Sequence, residues 1–373
     1  MAPDPNLHRL HEAGVSVWLD TLSRRLLDSG QFAELIRDYN VTGATSNPTI
    51  FAKAITGSDL YDEQLRRLVA GGARDTQELF FSLALDDVRR AARLLRPEYD
   101  RSGGLDGFVS FECTPDLADN TDATIAQAID LWQRLDRPNV MIKVPGTDAG
   151  LPAIEELTRR GVNVNVTLLF SIKRYERVID AYLRGLSARA QDGERLDALN
   201  SVASFFLSRI DAKADAQLPE DSPLRGNVAL ASARVAYQRY LAKFCGPEWT
   251  RLARAGAKRQ RPLWASTGTK NPLYSDVLYV SELIGPDVVN TMPEQTLRAF
   301  ADHVELARTV DADPEGARRT LADAHAAGID LGLVTAALER EGVRSFCDSY
   351  LQLLDCIIEK KRGVATAVSG SSG

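Results

Sequence analysis

The chain is poor in the residues that build disulfide scaffolds, metal centres and membrane spans. Four cysteines in 373 residues, Cys113, Cys245, Cys347 and Cys356, include no C-x-x-C pair. That excludes a disulfide framework and predicts reduced thiols. The four histidines, His8, His11, His303 and His325, are scattered and lie in no H-E-x-x-H motif, which disfavours metal-dependent chemistry. No apolar run approaches the roughly 18–20 residues of a membrane span, and the N-terminal segment lacks the apolar core of a secretory signal. The expectation is a cytoplasmic protein with no membrane partner. Positive charge is also in deficit, 45 Lys and Arg against 51 Asp and Glu, for a net charge of −6. No general polyanion surface follows from that balance, so nucleic acid is not an expected partner, and any phosphate site must come from a few local cations.

What remains is an ordinary globular composition, 44% hydrophobic and 26% charged, with enough apolar residues for a large core. There is no internal repeat and no domain-sized linker. One domain over residues 1–363 is expected, with a flexible tail at 364–373 rich in small residues. Eight short β-branched segments recur, at 15–20, 44–47, 108–113, 140–145, 164–169, 201–206, 262–267 and 288–293. Amphipathic stretches separate them, as at Ile125, Ile129, Trp132 and Leu135, and that order is the pattern of parallel βα units. Eight units predict a closed (α/β)₈ barrel. The long stretches between the second and third and the sixth and seventh segments predict extra helical insertions. Phe346, Tyr350, Leu353, Leu354 and Ile357 predict a C-terminal helix.

Side chains alternate across a strand, so each segment divides into a lumen set and an outer set. Val140, Ile142 and Val144 form an apolar outer face, which leaves Met141, Lys143 and Pro145 inside. The same split places Ser16, Trp18 and Asp20, Ser110 and Glu112, and Asn163, Asn165 and Thr167 in the lumen, with Leu168 outside. Polar groups gathered at the C-terminal strand ends are costly to bury without a purpose, and barrel enzymes keep their sites there. A lysine in an apolar wall loses solvation, which favours the free amine able to attack a ketone. Glu112 is placed to move protons, directly or through a water held by Thr167, and Asp20 to take a proton from a hydroxyl.

Each residue also has a plainer reading. Lys143 can be a snorkelling strand residue and Glu112 its ion-pair partner. Asp20 can cap the helical run 22–39, and Asn47 before Pro48 suits a turn. Trp18 and Phe206 are common core fillers. Thr167 and Ser204 carry little signal singly. The functional reading gains from their co-location.

The motifs A-T-S-N-P-T-I-F at 44–51, V-M-I-K-V-P-G-T-D-A-G at 140–150, N-V-N-V-T-L-L-F-S at 163–171 and W-A-S-T-G-T-K-N-P at 264–272 resemble those of the transaldolases, in the longer bacterial form. The resemblance runs from S-V-W-L-D at 16–20 to N-T-M-P at 290–293. It implies a Schiff-base role for Lys143, water-linked acid/base work for Glu112, the aldol-step base at Asp20, and Thr167 as holder of the catalytic water. Asn47, Asn165, Ser204 and Phe206 match substrate-binding positions. Arg209, and Lys270 where other members place an arginine, match the sugar-phosphate site, with Ser266, Thr267 and Gly268 all candidates to accompany them. The implied reaction moves a dihydroxyacetone unit between sugar phosphates: sedoheptulose 7-phosphate and glyceraldehyde 3-phosphate give erythrose 4-phosphate and fructose 6-phosphate, with no cofactor and no metal. A fructose 6-phosphate aldolase-like lyase and a non-catalytic sugar-phosphate-binding barrel are the alternatives. The sequence leaves monomer and homodimer open.

Overall fold

The β-branched segments form eight strands in chain order: β1 (Val15–Leu19), β2 (Gly43–Thr45), β3 (Phe108–Glu112), β4 (Val140–Pro145), β5 (Val164–Leu169), β6 (Ser201–Phe206), β7 (Gln260–Ala265) and β8 (Val288–Met292). In this computed structural model they make one closed barrel in sequence order, each strand parallel to its neighbours and β8 closing on β1. Residues 4–304 and 306–370 are described, with side chains to 363. The expected (α/β)₈ architecture is therefore what the chain adopts. Among the described residues no single helix is long and apolar enough to cross a membrane.

The insertions are helical as expected. Pro48–Thr56, Asp62–Ala70 and Thr76–Arg101 lie between β2 and β3, and Ser208–Asp215, Val228–Lys243 and Pro247–Arg254 between β6 and β7. The C-terminal helix, Leu331–Gly370, packs along Pro48–Thr56 and also meets β5 and Ser208–Asp215. It thereby lies beside the C-terminal ends of the strands. Its backbone runs into the first residues of the expected tail; the side chains of 364–370 and all of 371–373 lie outside the described residues.

Three local differences from the sequence reading have physical causes. The run at 22–39 is two helices, Arg24–Asp28 and Gln31–Asp38, because Gly30 between them takes φ 79°, a left-handed conformation that no helix continues through. The second and seventh strands end earlier than expected. Asn47 is already the cap of the next helix, and Ser266 leaves the extended region at φ 57°. In β5 the register shifts after Val166, where Leu168 takes φ 60°. This turns Leu168 towards Gly342 of the C-terminal helix, where an added Cβ would stand 3.0 Å from it.

The floor of the lumen is apolar and tightly filled. Trp18, Phe108 and Met141 are buried, and Trp18 and Phe108 rings lie 6.3 Å apart. Trp18 donates Nε1–H to Asp106 Oδ1 at 2.8 Å, so its one polar group is satisfied. Gly43 makes room for the indole, since a Cβ there would lie 2.5 Å from ring carbons. Gly43→Ala is expected to destabilise the barrel by about 1–3 kcal/mol through overpacking, read as a lower urea midpoint at unchanged slope. An unchanged midpoint would show that Trp18 is free to shift.

Candidate active site

Strand pairing brings the polar lumen residues to one level. Glu112 pairs with Lys143, Lys143 with Asn165, and Pro145 with Thr167. In a parallel sheet, paired residues point to the same side, so Glu112, Lys143, Asn165 and Thr167 form a polar belt around the upper lumen. All four are buried. The expected alternation of β3, β4 and β5 up to Thr167 is therefore present.

Lys143 Nζ donates to the Ser46 carbonyl at 3.0 Å and lies 3.0 Å from Glu112 Oε2. The Glu112 contact is off-axis for a hydrogen bond, and Oε2 has no other partner among the described residues. Burial pushes the Glu112 carboxyl above the ordinary carboxylate range, and the Lys143 charge opposes that rise. Lys143 is thus not a snorkelling edge residue; its amine stays inside the barrel.

Asn165 is held on both ends of its amide. It donates to Ser110 Oγ at 2.9 Å and accepts from Ser204 Oγ at 2.7 Å. Three strands are joined by that chain of bonds, and Ser204 takes its place in the cluster. Thr167 Oγ1 is fully buried and has no hydrogen-bond partner among the described residues, an unmet polar group of the kind that ordered water commonly satisfies.

Asp20 follows β1, its backbone N–H held by the Met292 carbonyl at 3.0 Å. Its Oδ1 accepts from the Thr21 hydroxyl at 3.1 Å. Burial raises its carboxyl above the usual value, against the lowering effects of Thr21 and the Lys143 charge, which puts Asp20 within electrostatic range of the lysine. The cap alternative for Asp20 fails, because Ser23 is the N-cap of Arg24–Asp28.

Asn47 does cap the next helix, its Oδ1 accepting from Ile50 N at 3.0 Å. The amide Nδ2 remains available, next to the Ser46 carbonyl that binds Lys143. The plain and functional readings of Asn47 are thus compatible.

At the rim, Arg209 and Lys270 make no hydrogen bond to or ion pair with a carboxylate among the described residues. Burial lowers both pKa values, and for Lys270 the Arg209 charge adds to the effect. Among the described residues neither has a counter-ion, so two neighbouring positive charges stand uncompensated at the rim of an acidic protein. Arg209 also lies over the Phe206 ring, 5.4 Å from its centre, and Phe206 packs on Phe170 with centroids 5.3 Å apart. Phe206 thus packs into the core on one side and under the Arg209 guanidinium on the other. Of the three candidates near Lys270, Thr267 gives its hydroxyl to the Thr291 carbonyl at 2.9 Å, while Ser266 shares a 2.8 Å bond with Ser208 at the start of Ser208–Asp215.

Sequence reasoning passed over three neighbours of the site. Ser110 was legible as an inward residue, but its bond to Asn165 was not. The Ser46 carbonyl carries no side-chain signal. Tyr350 of the C-terminal helix lines the same small cavity as Asn47 and Glu112, and only its helical spacing showed in sequence. A groove of about 420 Å³ lies elsewhere on the surface, and its Asp148 is already engaged by Arg174 and Arg177.

The two uses of Asn47 are separable. Asn47→Ala should lose about 1 kcal/mol of stability with the cap, whereas Asn47→Asp keeps a capping oxygen and should melt near the parent temperature. If both variants melt alike, the cap contributes nothing.

The family model described as "Transaldolase/Fructose-6-phosphate aldolase" matches residues 17–357. Proteins named transaldolase from Parafrankia sp. (strain EAN1pec), Mycolicibacterium smegmatis and Thermobifida fusca are similar along nearly their whole length. Identity to the Parafrankia protein is 49%, over 96% of this chain and 99% of that protein. It is 49% for the Mycolicibacterium smegmatis protein, over 95% and 97%, and 48% for the Thermobifida fusca protein, over 95% and 98%. A match that runs from within β1 past β8 and includes Asp20, Glu112, Lys143 and Thr167, together with relatives 49% identical over nearly the whole chain, places the chain in the transaldolase family.

Proposed function

We infer that this transaldolase transfers a dihydroxyacetone unit through an imine on Lys143. The observation that carries the reading is the buried amine with a carboxyl 3.0 Å away at the C-terminal end of the barrel. Glu112 accepts a proton from Nζ, which frees the nitrogen lone pair for attack. Nζ then adds to the donor's C2 carbonyl, and Glu112 returns the proton as water leaves to give the protonated imine. An unmet Thr167 hydroxyl beside it is suited to hold the water that this step releases and later hydrolysis consumes.

Asp20 takes the proton from the C4 hydroxyl, the C3–C4 bond breaks, and its electron pair enters the iminium to form an enamine. The aldehyde fragment leaves. C3 of the enamine attacks the carbonyl of the acceptor aldehyde, whose oxygen regains a proton from Asp20, and water releases the new ketose from Lys143. Asn47 Nδ2, Asn165 and Ser204 bind the hydroxyl groups of the bound chain, Phe206 lies along it, and Arg209, Lys270 and Ser266 take its phosphate. Fructose 6-phosphate and sedoheptulose 7-phosphate are the ketoses of this reading and belong to the pentose phosphate pathway. Sugar phosphates of that kind are retained in the cytoplasm, which is where we place the protein.

Borohydride reduction in the presence of fructose 6-phosphate should fix a three-carbon adduct on Lys143, located by peptide mass spectrometry. An adduct confined to Lys53 or Lys270 would overturn the assignment.

Transfer also differs from simple cleavage in what happens without an acceptor. Fructose 6-phosphate alone should yield little free dihydroxyacetone, while added erythrose 4-phosphate should give sedoheptulose 7-phosphate at a rate many times higher. Rapid dihydroxyacetone release with no acceptor present would favour the lyase.

A further inference from the structure

Beyond the rim cations lies a cavity of about 320 Å³, lined by Asp211, Asp215, Arg225, Lys270, Tyr274 and Tyr279 among others. Its walls belong to three segments distant in sequence. The helix Ser208–Asp215 carries Arg209, the loop after β7 carries Lys270, and the connection before Val228–Lys243 carries Gly226. Two carboxylate–tyrosine bonds join the first two. Tyr274 donates its hydroxyl to Asp215 Oδ2 at 2.6 Å, and Tyr279 donates to Asp211 Oδ2 at 2.7 Å. The remaining carboxylate oxygens are also used. Asp215 Oδ1 accepts from Gly226 N at 3.1 Å and Asp211 Oδ1 from Ala229 N at 2.8 Å.

Gly226 is shaped to this arrangement. It takes φ 71°, and a Cβ on it would lie 2.9 Å from the Tyr274 ring carbon that bears the hydroxyl. The ring therefore rests on bare backbone at the point where its hydroxyl reaches Asp215. Burial and the Asp215 charge push the Tyr274 phenol up to about 12, so at neutral pH it remains a donor.

The loop itself has few other anchors near Lys270. Lys270 and Pro272 are exposed, Leu273 is 88% exposed, and Ser275 and Asp276 face solvent. The Asp276 contact to His303, at 3.0 Å, is between exposed groups and is screened by solvent. Tyr274 is the partly buried ring within this stretch, four residues from Lys270.

We propose that Tyr274 and Asp215 form a positioning clamp that sets the spacing of Lys270 from Arg209, and thereby the affinity for the phosphate end of the substrate. It rests on the reading of these two cations as the phosphate pair. Two like charges repel one another when the anion is absent, so the exposed loop tends to swing Lys270 outward. A hydrogen bond to a buried carboxylate opposes that swing before substrate arrives, which is preorganisation of the site. Tyr274 and Asp215 touch neither substrate nor Lys143; they act through Lys270.

The test compares substrates with and without phosphate. KM and kcat are measured for fructose 6-phosphate with erythrose 4-phosphate, kcat/KM for fructose with erythrose, and the inhibition constant for inorganic phosphate. Losing a hydrogen bond to a charged group, Tyr274→Phe should raise KM for fructose 6-phosphate and the phosphate inhibition constant on the order of tenfold. Its kcat and the fructose–erythrose reaction should stay within about twofold of the parent, well inside one hydrogen bond's worth. Asp215→Ala should behave like Tyr274→Phe. Asp215→Asn, which keeps an acceptor for Gly226 and a donor for the phenol oxygen, should restore most of the affinity. Equal losses on both substrate pairs would mean a merely structural role and overturn the clamp. So would an unchanged KM in Tyr274→Phe and Asp215→Ala when Arg209→Ala and Lys270→Ala raise it. An unchanged KM in Arg209→Ala and Lys270→Ala overturns the phosphate reading itself, and the clamp with it.

Discussion

A lysine and a glutamate buried together inside a closed barrel constrain everything around them. Both side chains are buried, and each charge has the other 3.0 Å away to compensate it. Removing one partner would leave the other uncompensated, the costly case for a buried pair. The pair also needs fixed surroundings, since a mobile lysine would find solvent at the barrel mouth. Those surroundings come from the neighbouring strand ends. The Ser46 carbonyl holds Nζ from the β2 side, and the Ser110–Asn165–Ser204 chain ties together the walls from β3 to β6. The apolar floor of Trp18, Phe108 and Met141 closes the other end. Packed rings below and hydrogen bonds at the level of the lysine are two aspects of one requirement.

The site is divided between rigid and adjustable supports. Lys143, Glu112, Asn165 and Thr167 project from strands whose backbone is locked by ladders on both sides. Such side chains hold the geometry that imine chemistry requires. Arg209 and Lys270 instead sit on a helix start and a loop, where position depends on side-chain bonds such as Tyr274 to Asp215. That division suits substrates of differing length, because the carbonyl end must meet Lys143 in one pose while the phosphate end varies in distance from it.

Strand parity made much of this legible in advance. Lys143 and Glu112 could be placed on one side of adjoining strands from the apolar pattern of their neighbours, because a two-residue period leaves only two choices. The same rule failed after Thr167, where a left-handed Leu168 breaks the alternation of β5. No hydrophobic pattern announces a backbone twist at a leucine. Gly30 was visible as a residue, but the length of the apolar run around it outweighed the break it makes. The roles of single residues at the lumen, Asn47 as cap or ligand above all, were ambiguous because both readings rest on one side-chain amide, and only a structure assigns its oxygen to Ile50 and leaves the nitrogen for the other role. Partners such as Tyr274 and Asp215, fifty-nine residues apart, leave no local trace at all. Local periodicity reports which face a residue occupies; it cannot report which distant loop folds down upon it.

The balance between transfer and cleavage follows from the same burial. In the proposed mechanism an enamine on Lys143 is lost when a proton reaches C3 before an aldehyde does, so the groups that carry protons must be few and directed. In this lumen Glu112 has its nearest contact with Lys143 nitrogen, the atom that needs protons for imine formation and hydrolysis. Asp20 follows β1, two strands from Glu112 on β3, and burial raises its carboxyl against the lowering effects of Thr21 and the Lys143 charge. In that mechanism protons reach the nitrogen from Glu112 on β3 and the hydroxyl oxygen from Asp20 after β1, so the two proton carriers act from different walls. A barrel that separates its two acids by whole strands can hold a carbon nucleophile in reserve, and that spacing, more than any single residue, is what a transferase needs.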